Sequence, residues 1–489
     1  MGLQTWVMVG KWSFLDQFEP ERFLDHVQAV GAEAVAFGGA LPIQPVLVHY
    51  ADSPVRPLAP PADVMAYAPR VAALLRQAKG RGLGVYLYGT NPHAGRRPEV
   101  YRQLAQKWWL ALDGTAKPVE SYWGACANGP AFLPYSLGRV RDACAAVPGV
   151  DGFLNDGPEF GYEIAPGFMG GNWDLFTCFG PCCAARAGEL GFDWAALRAA
   201  ATELRGWLRR LDRPAAEALL EAARSATGRG DAVDVLARAS GAPAVRDWFR
   251  FKASSIETYV ARLCAGVKAI DPRLAVGIGA RTAAFARLTG YDLRRLAGHA
   301  DFLLPKLYVW MGGYDGLYGT VYRWARTLGE WNPALGEATA LRCVFALFGV
   351  ALPDVGRLAD LERYIGRDAL GTGASTRQGE PFPDAFFSTV VAAEVGALIG
   401  QVGDAQRVRP WVGTSHGGRI LTPRELDGLL TAARRAGLVT YLYYGELDGG
   451  EWAVARKHAT ARAGANTAHA TAPDLTHVPG QSRRPALGS

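Results

Sequence analysis

At 489 residues the chain can form one large domain with insertions or two to three ordinary domains, and its make-up is globular, 49% hydrophobic and 20% charged with a mean hydropathy near zero. Its formal charge of +6 is unevenly placed: from Arg456 onward five basic residues face Asp474, which puts +4 in the tail and leaves +2 on residues 1–455. With no basic stripe carrying interleaved aromatics, no basic-then-apolar leader and no run of about 18 apolar residues, the expectation is a cytoplasmic protein with neither a nucleic-acid nor a membrane partner.

The first strand is read at Thr5–Val9, running out at Gly10-Lys11-Trp12. Pro20 to Val30 has apolar residues at helical spacing (Phe23, Leu24, Val27) and stops at Gly31. Ala34–Phe37 is a second buried strand, broken by Gly38-Gly39, and a Pro-rich loop then leads to a helix from about Asp63 to Lys79. Gly84–Tyr88 makes the third strand and exits through Gly89-Thr90-Asn91-Pro92-His93. Pro98 suits the first turn of a helix. A loop containing Trp123 and Cys126-Ala127-Asn128 follows, and a helix from about Pro134 to Val147 delivers the chain to its fourth strand.

That strand, Val150-Asp151-Gly152-Phe153-Leu154-Asn155-Asp156, ends at Gly157-Pro158 with Glu159 and Glu163 close behind. Residues 164–242 then break the rhythm and read as a mostly helical insertion before a return helix at about Ala244–Ile270. Cys178, Cys182 and Cys183 cluster there; soft metals use such thiols, but without a Cys-x-x-Cys pair or a nearby His the reading taken is buried or free thiols. Seven cysteines in this length make no disulfide scaffold.

Leu274–Gly279 is the fifth strand and Asp301–Trp310 the sixth, exiting through Met311-Gly312-Gly313-Tyr314-Asp315. Helices are expected at about 319–332 and 384–401, a short seventh strand at Arg409–Gly413, a helix at Pro423–Ala436, the eighth strand at Leu438–Tyr444, and a last helix reaching His458. Strand and helix alternating eight times is the count for a (β/α)8 TIM barrel, an α/β fold. Residues 1–458 are assigned to a catalytic barrel, 164–242 to the insertion within it, and 459–489 to a disordered tail.

Candidate site residues recur just past strand ends, where such barrels carry their chemistry. They are Lys11 and Trp12, Asn91 and His93, Asp156 and Glu159, Arg281, Trp310 and Asp315, Ser415 and His416, and Glu446, joined by Trp123. Lys306 is conspicuous: there are 8 Lys against 44 Arg, and one sits inside an apolar strand. Alternation puts Lys306, Tyr308 and Trp310 on one face, taken as the lumen. A buried Lys needs a carboxylate or a ligand, so pairing with a core Asp is the plain alternative.

Glycosidic cleavage needs two carboxyl groups around an oxocarbenium-like transition state. Asp156, on a rigid strand end, suits the nucleophile or base; Asp315, on a Gly-rich loop, suits the acid, with Glu159 and Glu446 in reserve. Trp12, Tyr308 and Trp310 would stack on a sugar, in keeping with 14 Trp and 18 Tyr in the chain; Asn91, His93, Trp123 and Lys306 would contact it. The competing readings make Glu159 and Glu163 solvated loop acids, Asp315 a turn residue, His93 an orienting group, and Trp12 and Trp310 core.

Asp113-Gly114, Cys126-Ala127-Asn128-Gly129-Pro130 and Val150-Asp151-Gly152-Phe153-Leu154-Asn155-Asp156-Gly157-Pro158 together resemble a glycoside hydrolase barrel family, distantly like the α-amylase, α-galactosidase and α-fucosidase type enzymes. The resemblance implies that Asp156 is the nucleophile and that the acid follows a later strand, nearest at Asp315. It departs at Asn155 and at Gly-Pro-Glu after the Asp, where amylases carry an Arg two residues before their nucleophile.

The expected function is therefore a glycosidase or transglycosidase acting on carbohydrate, with no cofactor required. Two rivals stand beside it: a metal-dependent barrel lyase or isomerase using Asp156, Glu159, Glu163 and Lys306, and a non-catalytic carbohydrate-binding barrel. The insertion is expected to cover the barrel mouth or to form the subunit contact of a homo-oligomer.

Overall fold

The computed structural model describes residues 2–9, 12–16, 18–38, 66–88, 111–114, 126–130, 132–165, 174–226, 231–307, 317–365, 379–413, 415–416, 419–445, 447 and 449–459. Strands β1 (Gln4–Val9), β2 (Ala32–Phe37), β3 (Gly84–Tyr88), β4 (Gly152–Asp156), β5 (Ala275–Ala280), β6 (Phe302–Pro305) and β7 (Trp411–Gly413) precede a small antiparallel pair, β8 (Ser415–His416) with β9 (Arg419–Ile420), and then β10 (Thr440–Tyr444). The main sheet has eight strands, all parallel, in the order β6-β5-β4-β3-β2-β1-β10-β7. Its two ends meet: Leu303 bridges Val408, Lys306 bridges Trp411, and Arg409 N donates to Leu303 O at 2.8 Å. The sheet is thus a (β/α)8 TIM barrel, as its sequence rhythm predicts.

Each strand alternates between a face toward the helices and a face toward the lumen. Trp6 of β1 lies 4.3 Å from the ring of Tyr86 on β3 and 5.3 Å from that of Phe302 on β6. None of these strands adjoins another, so the rings meet across the interior. The Arg409 guanidinium covers them, 4.5 Å from the Trp6 ring and 4.2 Å from Phe302. Higher up, Tyr88 and Trp411 meet edge to face at 5.2 Å. The lumen is a packed aromatic core.

Glycine makes room for that core. A Cβ on Gly277 would lie 2.2 Å from the Phe302 ring. Gly277→Ala is expected to lower stability by about 1–3 kcal/mol through overpacking; an unchanged thermal midpoint would count against this packing.

The opposite end of the barrel is pinned by a repeated device. Asp151, just before β4, accepts from Val85 N at 2.7 Å and pairs with Lys79 at the end of the helix Ala68–Gly80. Asp301, just before β6, accepts from Val276 N at 2.7 Å and pairs with Lys268 near the end of the helix Ala244–Ile270. Both acids fix strand register at the N-terminal face, where conserving stability rather than chemistry is the rule.

Between β4 and the long helix Ala244–Ile270 lie the helices Pro181–Glu189, Trp194–Leu208, Arg213–Arg224 and Ala232–Ala239. Arg213–Arg224 packs on Glu337–Phe348, and Asn332 Nδ2 donates to Leu208 O at 2.9 Å, so these helices dock on those that follow β6. The helix Glu337–Phe348 was not anticipated. Ala340, Leu341, Val344, Phe345, Leu347 and Phe348 are all buried, leaving little polar face to mark its period.

The helix expected at 384–401 is present as Asp384–Val402, a continuous helical segment of 19 residues, partly buried, that is long and apolar enough to cross a membrane. It corrects the expectation that no run of about 18 apolar residues occurs. Its middle, Phe387–Val391, is a π-helical turn, and its buried Glu394 accepts from Ala283 N, tying the segment to the helix that opens after β5. Residues 460–489, nearly all of the expected tail, lie outside the described residues.

Candidate active site

β4 leads to Asp156 and stops at Gly157, whose φ of 88° is left-handed. Asn155 Nδ2 donates to Gly157 O at 3.1 Å and braces the turn. In register opposite Asp156 is Gly279 on β5, where a Cβ would lie 2.9 Å from Asp156 Oδ1. The carboxylate therefore occupies space that glycine leaves open.

Asp156 is 5% exposed and has partners from two other strand ends, those of β3 and β6. Lys306 Nζ, one residue past β6, lies 3.3 Å from Oδ1, and the Tyr88 hydroxyl, at the end of β3, donates to Oδ2 at 3.0 Å. Burial pulls the Lys306 ammonium below its ordinary value and Arg281 repels it further, while Asp156 and Glu159 act the other way.

Beside this pair sits a second one. Arg281, one residue past β5, donates to both oxygens of Glu159, at 2.7 and 2.5 Å, and its guanidinium lies 5.0 Å from the Tyr162 ring. Burial opposes the charge on Arg281, but Glu159 and then Tyr162 hold its pKa above the ordinary arginine value. Tyr291 completes the group: its hydroxyl is buried with no hydrogen-bond partner among the described residues, and burial, with Glu159 and Asp156 adding to it, holds the phenol well above its usual range. Two anions and two cations thus meet at the C-terminal ends of β4, β5 and β6.

The loop after β4 is held at four points. Besides the Arg281–Glu159 pair, Phe160 N donates to Thr289 O at 2.9 Å and Trp324 Nε1 donates to Tyr162 O at 2.9 Å. Glu163 Oε1 accepts from Arg323 Nε at 3.0 Å and from the Thr320 hydroxyl at 2.8 Å, and both members of that ion pair are 1% exposed. The reading of Glu159 and Glu163 as solvated loop acids is corrected: each is buried against an arginine supplied from a later helix or strand end. Among the described residues the carboxylates of this loop form no group spaced to hold a metal.

The structure therefore brings together Asp156, Lys306 and Glu159 of the expected residues, with Arg281 between them. Trp12 lies on the short 3-10 turn Trp12–Asp16 after β1. Asn91, His93, Trp123, Tyr308, Trp310, Asp315 and Glu446 lie outside the described residues, as does Lys11. Three contributors were not singled out from the sequence: Tyr88, Tyr291 and Arg323. Tyr88 had a signal, because Tyr86 and Tyr88 alternate on one face of a strand whose end was already marked. Tyr291 and Arg323 had none, since both reach the site through tertiary packing.

No family model matches this sequence, and no curated protein matches it. Solved structures similar to it include the β-galactosidase from the psychrophilic Marinomonas ef1, at 11% identity over 94% of this chain and 58% of that one, with a TM-score of 0.47. The β-galactosidase from the Antarctic haloarchaeon Halorubrum lacusprofundi is 14% identical over 94% of this chain and 57% of that one, with a TM-score of 0.47. The catalytic domain of a β-amylase from Paenibacillus polymyxa is 11% identical over 93% and 97% of the two chains, with a TM-score of 0.48. The chain spans less than two thirds of the length of those two β-galactosidases. Identities and TM-scores this low attach no activity to it.

Proposed function

We propose that the chain is a glycoside hydrolase or transglycosidase acting on O-glycosyl bonds of a carbohydrate substrate, with Asp156 as nucleophile or base and Asp315 as the acid. The observation that supports this most is the setting of Asp156: a carboxylate at the C-terminal end of a barrel strand, with one oxygen toward Lys306 and the other accepting from Tyr88.

An anion fixed in that way can meet a developing oxocarbenium ion without first reorganising its surroundings. Lys306 offsets the charge of Asp156 in the resting site; Tyr88 fixes its rotation. Glu159 has both oxygens engaged by Arg281, so its part in this reading is to position Arg281 rather than to pass a proton. The metal-dependent rival loses ground for the same reason, since Glu159 and Glu163 are both committed to arginines. No cofactor enters the proposed chemistry.

A panel of aryl glycosides and oligosaccharides tests the reading directly. Turnover of at least one member by the wild-type chain is expected. Sugar binding without turnover, unaltered by Asp156→Asn, would move the protein to the carbohydrate-binding class, and neither binding nor turnover would remove the reading.

A further inference from the structure

The thiols that the sequence places in two distant stretches converge. Cys126 precedes the helix Phe132–Ala146 that leads into β4; Cys178 and Cys183 follow the loop after it. In the structure the three Sγ atoms all lie within 4.8 Å of one another, and Cys126 Sγ is 3.3 Å from Cys183 Sγ. All three residues are buried and none is in a disulfide. Cys182, which looked like a third member from its spacing, is half-buried and outside this triangle.

Three thiols packed as small apolar side chains would need no polar company, yet this triangle has some. Asn128 directs its amide at Cys183 Sγ, 3.3 Å away, and at Ser255 Oγ, 3.2 Å away. Lys252 is 0% exposed. Its ammonium donates to Leu175 O at 2.8 Å and lies 4.2 Å from the Trp248 ring and 5.0 Å from that of Phe249. Among the described residues no carboxylate is within ion-pair distance of it; burial pulls the ammonium down to about 7, and Asp174, Cys183 and Cys178 act the other way. In its protonated form this buried group calls for a counter-charge.

The geometry points to a structural site for one divalent soft cation, zinc in the first place, held by the thiolates of Cys126, Cys178 and Cys183. A Zn–S bond of about 2.3 Å in a tetrahedron separates the sulfurs by roughly 3.8 Å, inside the 4.8 Å limit that the three already meet. One dication with three thiolates carries a net −1, which the ammonium of Lys252 offsets. A monovalent ion such as Cu(I) would leave the buried assembly negative. The Asn128 amide donates to Cys183 Sγ at the edge of the triangle. The ion would join the segment before the β4 helix to the one after the β4 loop, next to the Glu163–Asp174 bridge. It would act as a staple behind the candidate active site, independent of whether that site cleaves sugars.

Cobalt(II) provides the test, since it reports sulfur ligation by charge-transfer absorption whatever the enzyme's activity. The full chain, reduced with a phosphine, is equilibrated with cobalt or zinc and freed of loose ions by gel filtration. About one equivalent per chain is expected, with thiolate-to-cobalt absorption in the near ultraviolet that zinc abolishes. Cys126→Ser and Cys183→Ser are expected to lower the retained metal at least tenfold, while Cys264→Ser and Cys343→Ser leave it unchanged. A wild-type chain that retains no cobalt or zinc overturns the site, whatever the variants do. So does a cobalt spectrum that survives Cys126→Ser, and retention of Cu(I) alone overturns the divalent assignment.

Discussion

Asp156→Asn is expected to lower the turnover of any sugar the wild type cleaves by ~10³-fold or more, equivalent to about 4 kcal/mol of transition-state stabilisation. The asparagine keeps the shape of the side chain and an oxygen for the Tyr88 hydroxyl, but loses the charge that faces the reacting carbon. It also deprives Lys306 of its ion pair. That ammonium already sits below its ordinary value through burial and the repulsion of Arg281, so without Asp156 it moves lower and is neutral over a wider pH range, which keeps the barrel folded. The sign follows from proton counts: between the folded value and the ordinary lysine value of 10.5 the unfolded chain holds more protons than the folded one, and stability rises with pH. The thermal midpoint of the variant should therefore trail the wild type at neutral pH, and the gap should close toward about pH 10. Near-wild-type turnover in a folded variant removes Asp156 from the mechanism; a gap that widens with pH removes the Lys306 contact from the account.

Arg323→Met is expected to give the largest loss of stability, about 3–5 kcal/mol, because it leaves the carboxylate of Glu163 buried with no cation. Arg323 and Glu163 are each 1% exposed, so solvent cannot substitute for the missing partner. Combining it with Glu163→Gln removes the stranded charge while keeping an acceptor for the Thr320 hydroxyl, and should recover most of the loss. Equal thermal midpoints for the single and the double variant would show that the charge is not what the arginine balances.

The barrel was legible in the sequence because its strands end in recognisable stops: Gly38 and Gly157-Pro158 close runs that alternate or are continuously apolar. The long return helix was read at Ala244–Ile270, the span the structure gives it. The helix Glu337–Phe348 escaped because burial on most sides erases periodicity. At the candidate site, the sequence pointed to Asp156, Glu159, Arg281 and Lys306 as polar residues at strand ends, but it carried no information on pairing. That Lys306 faces Asp156 while Arg281 faces Glu159 depends on strand register and barrel closure, which are properties of the folded sheet. The thiol triangle failed for the same reason: spacing grouped Cys182 with its neighbours, whereas the fold brings in Cys126 from 57 residues away.

The aromatic packing of the lumen has a consequence for traffic. Trp6, Tyr86, Phe302 and the Arg409 guanidinium fill one end, and the Tyr88–Trp411 pair lies above them. Beneath Asp156 the barrel is a blind alley. On the proposed function, a reactant approaches that carboxylate from the C-terminal end of the strands and not through the packed lumen. On that reading, a product leaves by the same end of the barrel that the next substrate enters.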